Sequence, residues 1–474
     1  MDYSNFLIMN HEISLVVVLI ITLLADLIIG GNKKVFQYLA LGLFTIHTVL
    51  GFTQWGSVGD ETSFGGMYIT SDIHSFVKNF LNLGTIFVFL FGFEWNKTEN
   101  QKHCGEFYFL TLSTLLGMYL MISSGNFLLF YIGLETASIP MAALVAFNKK
   151  ERESAEAAAK YVLTAAFSSG VMLFGISLIY GTCGSLYFDE VLVNFFDSPL
   201  HIMATIFFIA GLGFKISLVP FHLWTADTYQ GAPTAVTAYL SVISKGSAAF
   251  ALMCILVKAF SNYPDVWQSF LWWIIVITIT IGNLFAIRQE NLKRFLAFSS
   301  ISQAGYVILG VYTGTAQGMA TVVFYLFIYM FTNLAAFGVI SSIENKTGRL
   351  NMDDYNGLYS TNPKLAFVMM LAMFSLGGIP IFAGFFSKFF IFAAAMREGE
   401  TLLVFIALLN TVISLFYYLK VVKAMFIKTS ENPIENFKSD NMTRIGLFIC
   451  TLGILVLGLI SPIYEYINGI SFGF

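Results

Sequence analysis

A chain of 474 residues that is 57% hydrophobic and 11% charged contains no polar block long enough to fold as a soluble domain, where roughly a quarter of residues are charged. The net charge of −3 gives no support to a nucleic-acid partner. Cys104, Cys183, Cys254 and Cys450 are scattered singly, so neither an iron–sulfur cluster nor a zinc site is supported, and no glycine-rich fingerprint stands in a strand–turn–helix context for a nucleotide. The composition reads as an all-α polytopic membrane protein.

About fourteen apolar runs of roughly 20 residues each follow in chain order. They cover approximately 11–31, 35–53, 73–94, 107–124, 126–147, 155–181, 199–226, 232–260, 266–288, 295–313, 317–344, 362–396, 400–428 and 443–467. The first run lacks the basic leader and small-residue cleavage site of a signal peptide, so it is expected to remain a membrane helix. Run 362–396 is too long for one straight span and contains Gly377-Gly378-Ile379-Pro380, which predicts a break.

The loops sort by charge. One set holds Lys33-Lys34, Lys97 and Lys102, Lys149-Lys150-Glu151-Arg152, Arg288 with Lys293-Arg294, Lys346 and Arg349, and Lys438 with Arg444. The alternate set is nearly free of basic residues and carries Asp60-Glu61 and Asp189-Glu190. The positive-inside rule makes the first set cytoplasmic, and an even number of spans puts both termini outside.

Pro220 falls in the seventh run and Pro380 in the twelfth. A proline in a helix removes one hydrogen bond, and freed backbone groups at membrane depth are tolerated only where protein or a water-filled cavity satisfies them. The interval between the prolines holds about five spans, an odd number, so the two halves have opposite topology. Paired broken helices in inverted repeats mark ion or substrate paths near the midplane. The plainer alternative is two prolines that merely kink packed helices.

A charge at the centre of a membrane helix costs on the order of 2.5–3.5 kcal/mol, so ionisable residues there are functional candidates. Glu135 stands mid-span, five residues before Pro140, and must be neutral, paired or hydrated. Its natural partner is Lys215, in Gly213-Phe214-Lys215-Ile216-Ser217. Mutual attraction competing with desolvation makes that lysine's proton switchable, whereas a static pair would only hold two helices in register. Lys245 stands midway along the eighth run beside Gly246-Ser247-Ala248-Ala249, too far from either end to snorkel. Lys388 is deep in Gly384-Phe385-Phe386-Ser387-Lys388-Phe389-Phe390. Lysine can release a proton where arginine cannot, so lysine at these depths fits relay chemistry. Lys160 forms an i,i+4 pair with Glu156, which is equally an ordinary interfacial ion pair. Asp26 and His222 are open to both readings, and Lys420 and Lys423 read as positive-inside anchors.

Phe214-Lys215-Ile216-Ser217-Leu218-Val219-Pro220-Phe221-His222-Leu223-Trp224, then Ala226-Asp227, Tyr229-Gln230-Gly231-Ala232-Pro233 and Ser244-Lys245, resemble the signature of the antiporter-like subunits of respiratory complex I. So do Leu292 through Gln303, and Gly378-Ile379-Pro380 through Lys388. The resemblance covers most of the chain after about residue 105 and implies about 14 transmembrane helices with two inverted repeats, broken at Pro220 and Pro380. It divides the chain into a three-helix region at 1–105, repeats at 106–262 and 263–428, and a C-terminal helix at 429–474. It implies a proton relay through Glu135, Lys160, Lys215, Lys245 and Lys388 in a bacterial cytoplasmic membrane. It also implies that this chain holds no cofactor, while NADH, FMN, iron–sulfur clusters and quinone are used by other subunits. The lack of a long lateral helix departs from subunit L, and Lys388 replaces the glutamate typical of subunit M, which leaves the third antiporter-like subunit. The partners implied are then the lipid bilayer, subunit M, small subunit K and the lateral helix of subunit L. Many relatives have histidine where Gln303 stands, so a proton step assigned to that histidine must here use water or Lys388. The same motifs occur in multi-subunit cation/proton antiporters, and a purely structural role for the buried charges is the further alternative.

Overall fold

The computed structural model describes residues 4–29, 32–53, 61–98, 101–459 and 461–471. Asp60 and the end of the first expected span, 30–31, lie outside them. In chain order the helices are α1 (Ser4–Ile8), α2 (Asn10–Ile29), α3 (Lys33–Thr53), α4 (Asp72–Thr98), α5 (Cys104–Ile122), α6 (Phe127–Val145), α7 (Arg152–Cys183), α8 (Phe188–Asn194), α9 (Pro199–Ile216), α10 (Trp224–Gly231) and α11 (Thr234–Tyr239). A π-helical segment, Leu240–Ser244, leads into α12 (Lys245–Phe260). There follow α13 (Pro264–Ile287), α14 (Leu292–Tyr312), α15 (Ala316–Thr347), α16 (Leu358–Thr361), α17 (Pro363–Gly377), α18 (Ala383–Arg397), α19 (Thr401–Phe426), α20 (Asn441–Val456) and α21 (Ser461–Ile470). One small antiparallel hairpin pairs β1 (Glu61–Ser63) with β2 (Tyr68–Thr70).

Among the described residues twelve helices are long and apolar enough to cross a membrane, and α17 and α20 are shorter apolar helices. Together they account for the fourteen expected runs. Helices α12, α14 and α15 are buried on nearly every side, whereas α2, α7 and α19 are apolar yet open outward, as in Leu163 and Phe167. A helix that is apolar all round is a core or lipid-facing helix, and both kinds occur here.

Pro220 and Pro380 stand between helices rather than inside one. Helix α9 ends at Ile216, and Ser217 turns left-handed at φ 68°. Ser217 N–H donates to Phe214 O (2.9 Å) and Leu218 N–H to Gly213 O (2.8 Å). Helix α17 ends at Gly377, and Gly378 turns at φ 77°. Gly378 N–H donates to Ser375 O and Ile379 N–H to Phe374 O, both at 3.0 Å. Both breaks are therefore the same Schellman turn, which satisfies carbonyls that a bare helix end would leave open. Neighbouring side chains satisfy more of the first break. Val219 N–H donates to Thr278 Oγ1 (3.0 Å), and Trp224 Nε1–H donates to Phe214 O (3.0 Å).

Candidate functional site

Lys215 occupies the last turn of α9. Helix α9 can press against α7 because both present glycine at the crossing. A Cβ at Gly211 would stand 2.6 Å from Ser168 O, and one at Gly175 would stand 2.8 Å from Ala204 O. That approach carries the buried Lys215 ammonium to Ser138 Oγ on α6 (2.9 Å) and Tyr161 OH on α7 (3.2 Å), with the Tyr161 ring centroid 5.9 Å away. Glu135 stands one turn before Ser138, half-buried, and accepts a hydrogen bond from Ser169 Oγ. Lys215 and Glu135 form no direct ion pair. Instead both line one cavity of about 80 Å3 together with Ser138, Tyr161 and Ser169. A water needs about 10–15 Å3 of such space and several polar partners, so this cavity has room for several waters between the two charges.

Lys245 opens α12 directly after the π segment. Such π turns inside helices are often found at functional sites. The buried Lys245 Nζ donates to Ser300 Oγ on α14 (2.8 Å) and lies 5.1 Å from the centroid of Tyr229. A cavity of about 20 Å3 touches Lys245, Ser241, Ser300, Gln303 and Tyr329. Ser300 and Gln303 are three residues apart, so they share a face of α14.

Gln303 connects this cavity to the second break. Its Nε2 donates to Leu376 O (3.3 Å) and Tyr418 OH (3.0 Å), and its Oε1 accepts from Tyr325 OH. The buried Lys388 Nζ donates to the same Leu376 carbonyl (2.7 Å) and lies 5.1 Å from the Tyr306 ring centroid. A cavity of about 10 Å3 touches Gln303, Tyr325, Ser375 and Lys388. Each of the three lysines thus donates its hydrogen bonds to neutral acceptors, and all three are enclosed by protein.

Lys160 differs. It is substantially exposed and bonds both Glu156 (2.7 Å) and Asp227 (2.6 Å). Asp227 in turn takes Arg294 Nη1 at 2.6 Å, so one carboxylate ties α7, α10 and α14 together. The i,i+4 pair read from the sequence is present, but the bridge across helices was not foreseen. Asp26 pairs with Lys33 (2.8 Å), His222 is half-buried, and Lys420 and Lys423 are exposed. Among the described residues no group of three His, Cys, Asp or Glu side chains could hold a metal, and the four cysteines are buried free thiols.

One buried cluster escaped the sequence reading. Lys78 on α4 bonds Glu12 on α2 (2.6 Å) with both side chains enclosed, and Tyr68 OH bonds both. Nearby, Ser14 Oγ meets His47 Nδ1 (2.9 Å), and His47 Nε2 meets Tyr119 OH (3.3 Å), which also bonds Asn82. The available signal was Lys78 itself, a lysine within an apolar run that deserved the same weight as Lys215.

Residues 124–414 match the family model described as "NADH:quinone oxidoreductase/Mrp antiporter, TM". The chain is 55% identical over 477 residues to NADH-quinone oxidoreductase subunit N of Azobacteroides pseudotrichonymphae, covering 100% of this chain and 99% of that one. A chain in the structure of respiratory complex I from Thermus thermophilus with bound aureothin superposes with TM-score 0.80 at 31% identity, covering 95% of this chain and 97% of that one. A chain of the Mrp complex from Dietzia superposes with TM-score 0.86 over 99% of this chain and 97% of that one, and at 19% identity it shows the fold alone.

Proposed function

This chain belongs to the NADH:quinone oxidoreductase/Mrp antiporter transmembrane family, and on that premise we infer that it serves as the proton-translocating subunit N of a bacterial NADH–quinone oxidoreductase. Electron transfer from NADH to quinone runs in other subunits, which hold FMN and the iron–sulfur clusters. This chain supplies the membrane path that the electron transfer drives. Its partners are the neighbouring membrane-arm subunits M and K and the lateral helix of subunit L. The basic loops face the cytoplasm, and both termini lie on the periplasmic side.

The observation that supports the relay is the set of enclosed lysines, Lys215, Lys245 and Lys388, each lining a small cavity, with Gln303 lining both the Lys245 and the Lys388 cavities. A proton enters towards Lys215 and Lys245 from the cytoplasmic side, with Lys160 at the entrance. Glu135 acts on Lys215 through the intervening cavity, so a change in its charge or in the water between them alters the proton affinity of the lysine. The proton then moves to Lys245, passes along the Ser300–Gln303 face by water, and reaches Lys388, from which it leaves on the opposite side. Gln303 cannot titrate, and its role is to orient that water and share the Leu376 carbonyl with Lys388. The two halves, 106–262 and 263–428, are read as inverted repeats flanked by regions 1–105 and 429–474. The matching Schellman turns support that division, as does the packing of α5 along α6 and α13 along α14.

The test is proton uptake and NADH oxidation by the purified complex in liposomes, carrying Lys215→Ala or Glu135→Ala. Both variants are expected to assemble and to pump little or nothing. Normal pumping with normal assembly in either would remove that residue from the relay.

A further inference from the structure

Away from the lysine row, the N-terminal parts of helices α17 and α20 line a groove of about 840 Å3. Its charged lining is Lys364, Lys438 and Arg444, with no carboxylate among the lining residues. Among the described residues none of these cations is paired to an acid. Below the cations the walls are apolar, formed by Phe367, Leu447 and Phe448, and Phe367 and Phe448 are exposed. The loop that closes the groove is pinned in place. Asn362 donates to Glu435 O (3.0 Å) and accepts from Phe437 N–H (3.2 Å).

The positions of the cations on the helices bear on what the groove can hold. Lys364 lies in the first turn of α17 and Arg444 in the first turn of α20. Cations there oppose the positive end of the helix dipole, where an anion is favoured instead; the N-cap Asp440 carboxylate supplies one to α20, whereas α17 has no acid in its first turn. The 16 residues of α20 also span only about 24 Å, short of the roughly 30 Å hydrocarbon core. The groove is lined by the starts of α17 and α20 and by the Lys438 loop, on the face that carries the basic loops, where anionic lipid is drawn to clustered Lys and Arg.

We propose that this groove binds an anionic diacyl phospholipid, its phosphate held by Lys364, Lys438 and Arg444 and an acyl chain laid along Phe367 and Phe448. Charge complementarity selects the lipid over an apolar peptide segment, which would leave three cations facing hydrocarbon.

The test uses the assembled complex. Phospholipids that remain after mild detergent extraction are counted by mass spectrometry for the parent complex, for Arg444→Gln, and for the triple variant Lys364→Gln, Lys438→Gln, Arg444→Gln. Each removed charge is expected to weaken retention of phosphatidylglycerol or cardiolipin about fivefold and to leave phosphatidylethanolamine unchanged. Equal retention of anionic lipid in Arg444→Gln and the parent would overturn the proposal, even if the triple variant fails to assemble. A second readout places a photo-reactive group by Phe448→benzoylphenylalanine. An adduct with the mass of an anionic phospholipid, undiminished by excess inorganic phosphate, supports the site. An adduct to a neighbouring subunit, or to zwitterionic lipid in bulk proportion, overturns it.

Discussion

At the first break Lys215 stands before the turn, in the last turn of α9, whereas at the second Lys388 stands beyond the turn, in α18. Both lysines nevertheless lie near the carbonyl end of a half-helix, Lys215 within the last turn of its own and Lys388 with its ammonium on Leu376 O near the end of α17. The partial negative charge there favours a cation without needing a carboxylate. The surroundings differ. Lys215 meets two hydroxyls and shares a cavity of about 80 Å3 with Glu135, while Lys388 holds a backbone carbonyl beside a cavity of about 10 Å3. The same turn thus stands beside a lysine that shares a cavity with a carboxylate in one half and beside a lysine held by a backbone carbonyl in the other.

The contrast can be broken most directly at Lys388. Lys388→Leu is expected to reduce proton uptake per NADH oxidised to the leak level in liposomes, with the complex still assembled. Pumping at the parent rate would mean that the second break is only structural. Next in size is Gln303→Leu, which strips the amide partner from Tyr325 and Tyr418, each loss costing about 1–3 kcal/mol. Pumping should fall several-fold, and Gln303→His should restore it. No difference between the leucine and histidine variants would show that the Gln303 link is not used.

A smaller effect separates the two turns themselves. Gly378→Ala places a Cβ at φ 77°, 3.2 Å from Lys388 Cδ, and forcing an ordinary residue into that conformation costs about 1–2 kcal/mol. Ser217→Ala keeps a side chain where one is already tolerated at φ 68°. Thermal denaturation of the complex should therefore drop for Gly378→Ala and scarcely move for Ser217→Ala. The reverse order would contradict the equivalence of the two turns. Smallest is Lys160→Gln. Its ion pairs are largely exposed, and such pairs contribute little to stability, so assembly and the thermal denaturation of the complex should scarcely change, and a large loss of stability would show that the Asp227 bridge holds the helices together.

Much of the site was legible because the cost of a membrane charge is a local property. Lys215, Lys245 and Lys388 stand out against their immediate neighbours, and each is buried in the fold. Glu135 and Lys215 read from the sequence as a direct pair, whereas in the fold they line one cavity without an ion pair. The cavity between them depends on how α6, α7 and α9 pack, which the residues of no single helix specify. Lys160 was legible as a partner of Glu156, four residues away, but not as a partner of Asp227, 67 residues on. Glu12 and Lys78 show the same limit, with 66 residues between two groups that meet at 2.6 Å.

The sequence alone determined the membrane class, the number of apolar runs and the positions of both breaks, because hydropathy, span length and the missing proline N–H act within one segment. Tertiary structure decided what each buried charge touches: the hydroxyls on Lys215, Ser300 on Lys245, and the Leu376 carbonyl that Lys388 shares with Gln303. Apart from Lys388 on Leu376, 12 residues away, those contacts join helices far apart in the chain, and in a bilayer such pairs form only where close packing and hydrogen bonding favour one arrangement of the spans over others.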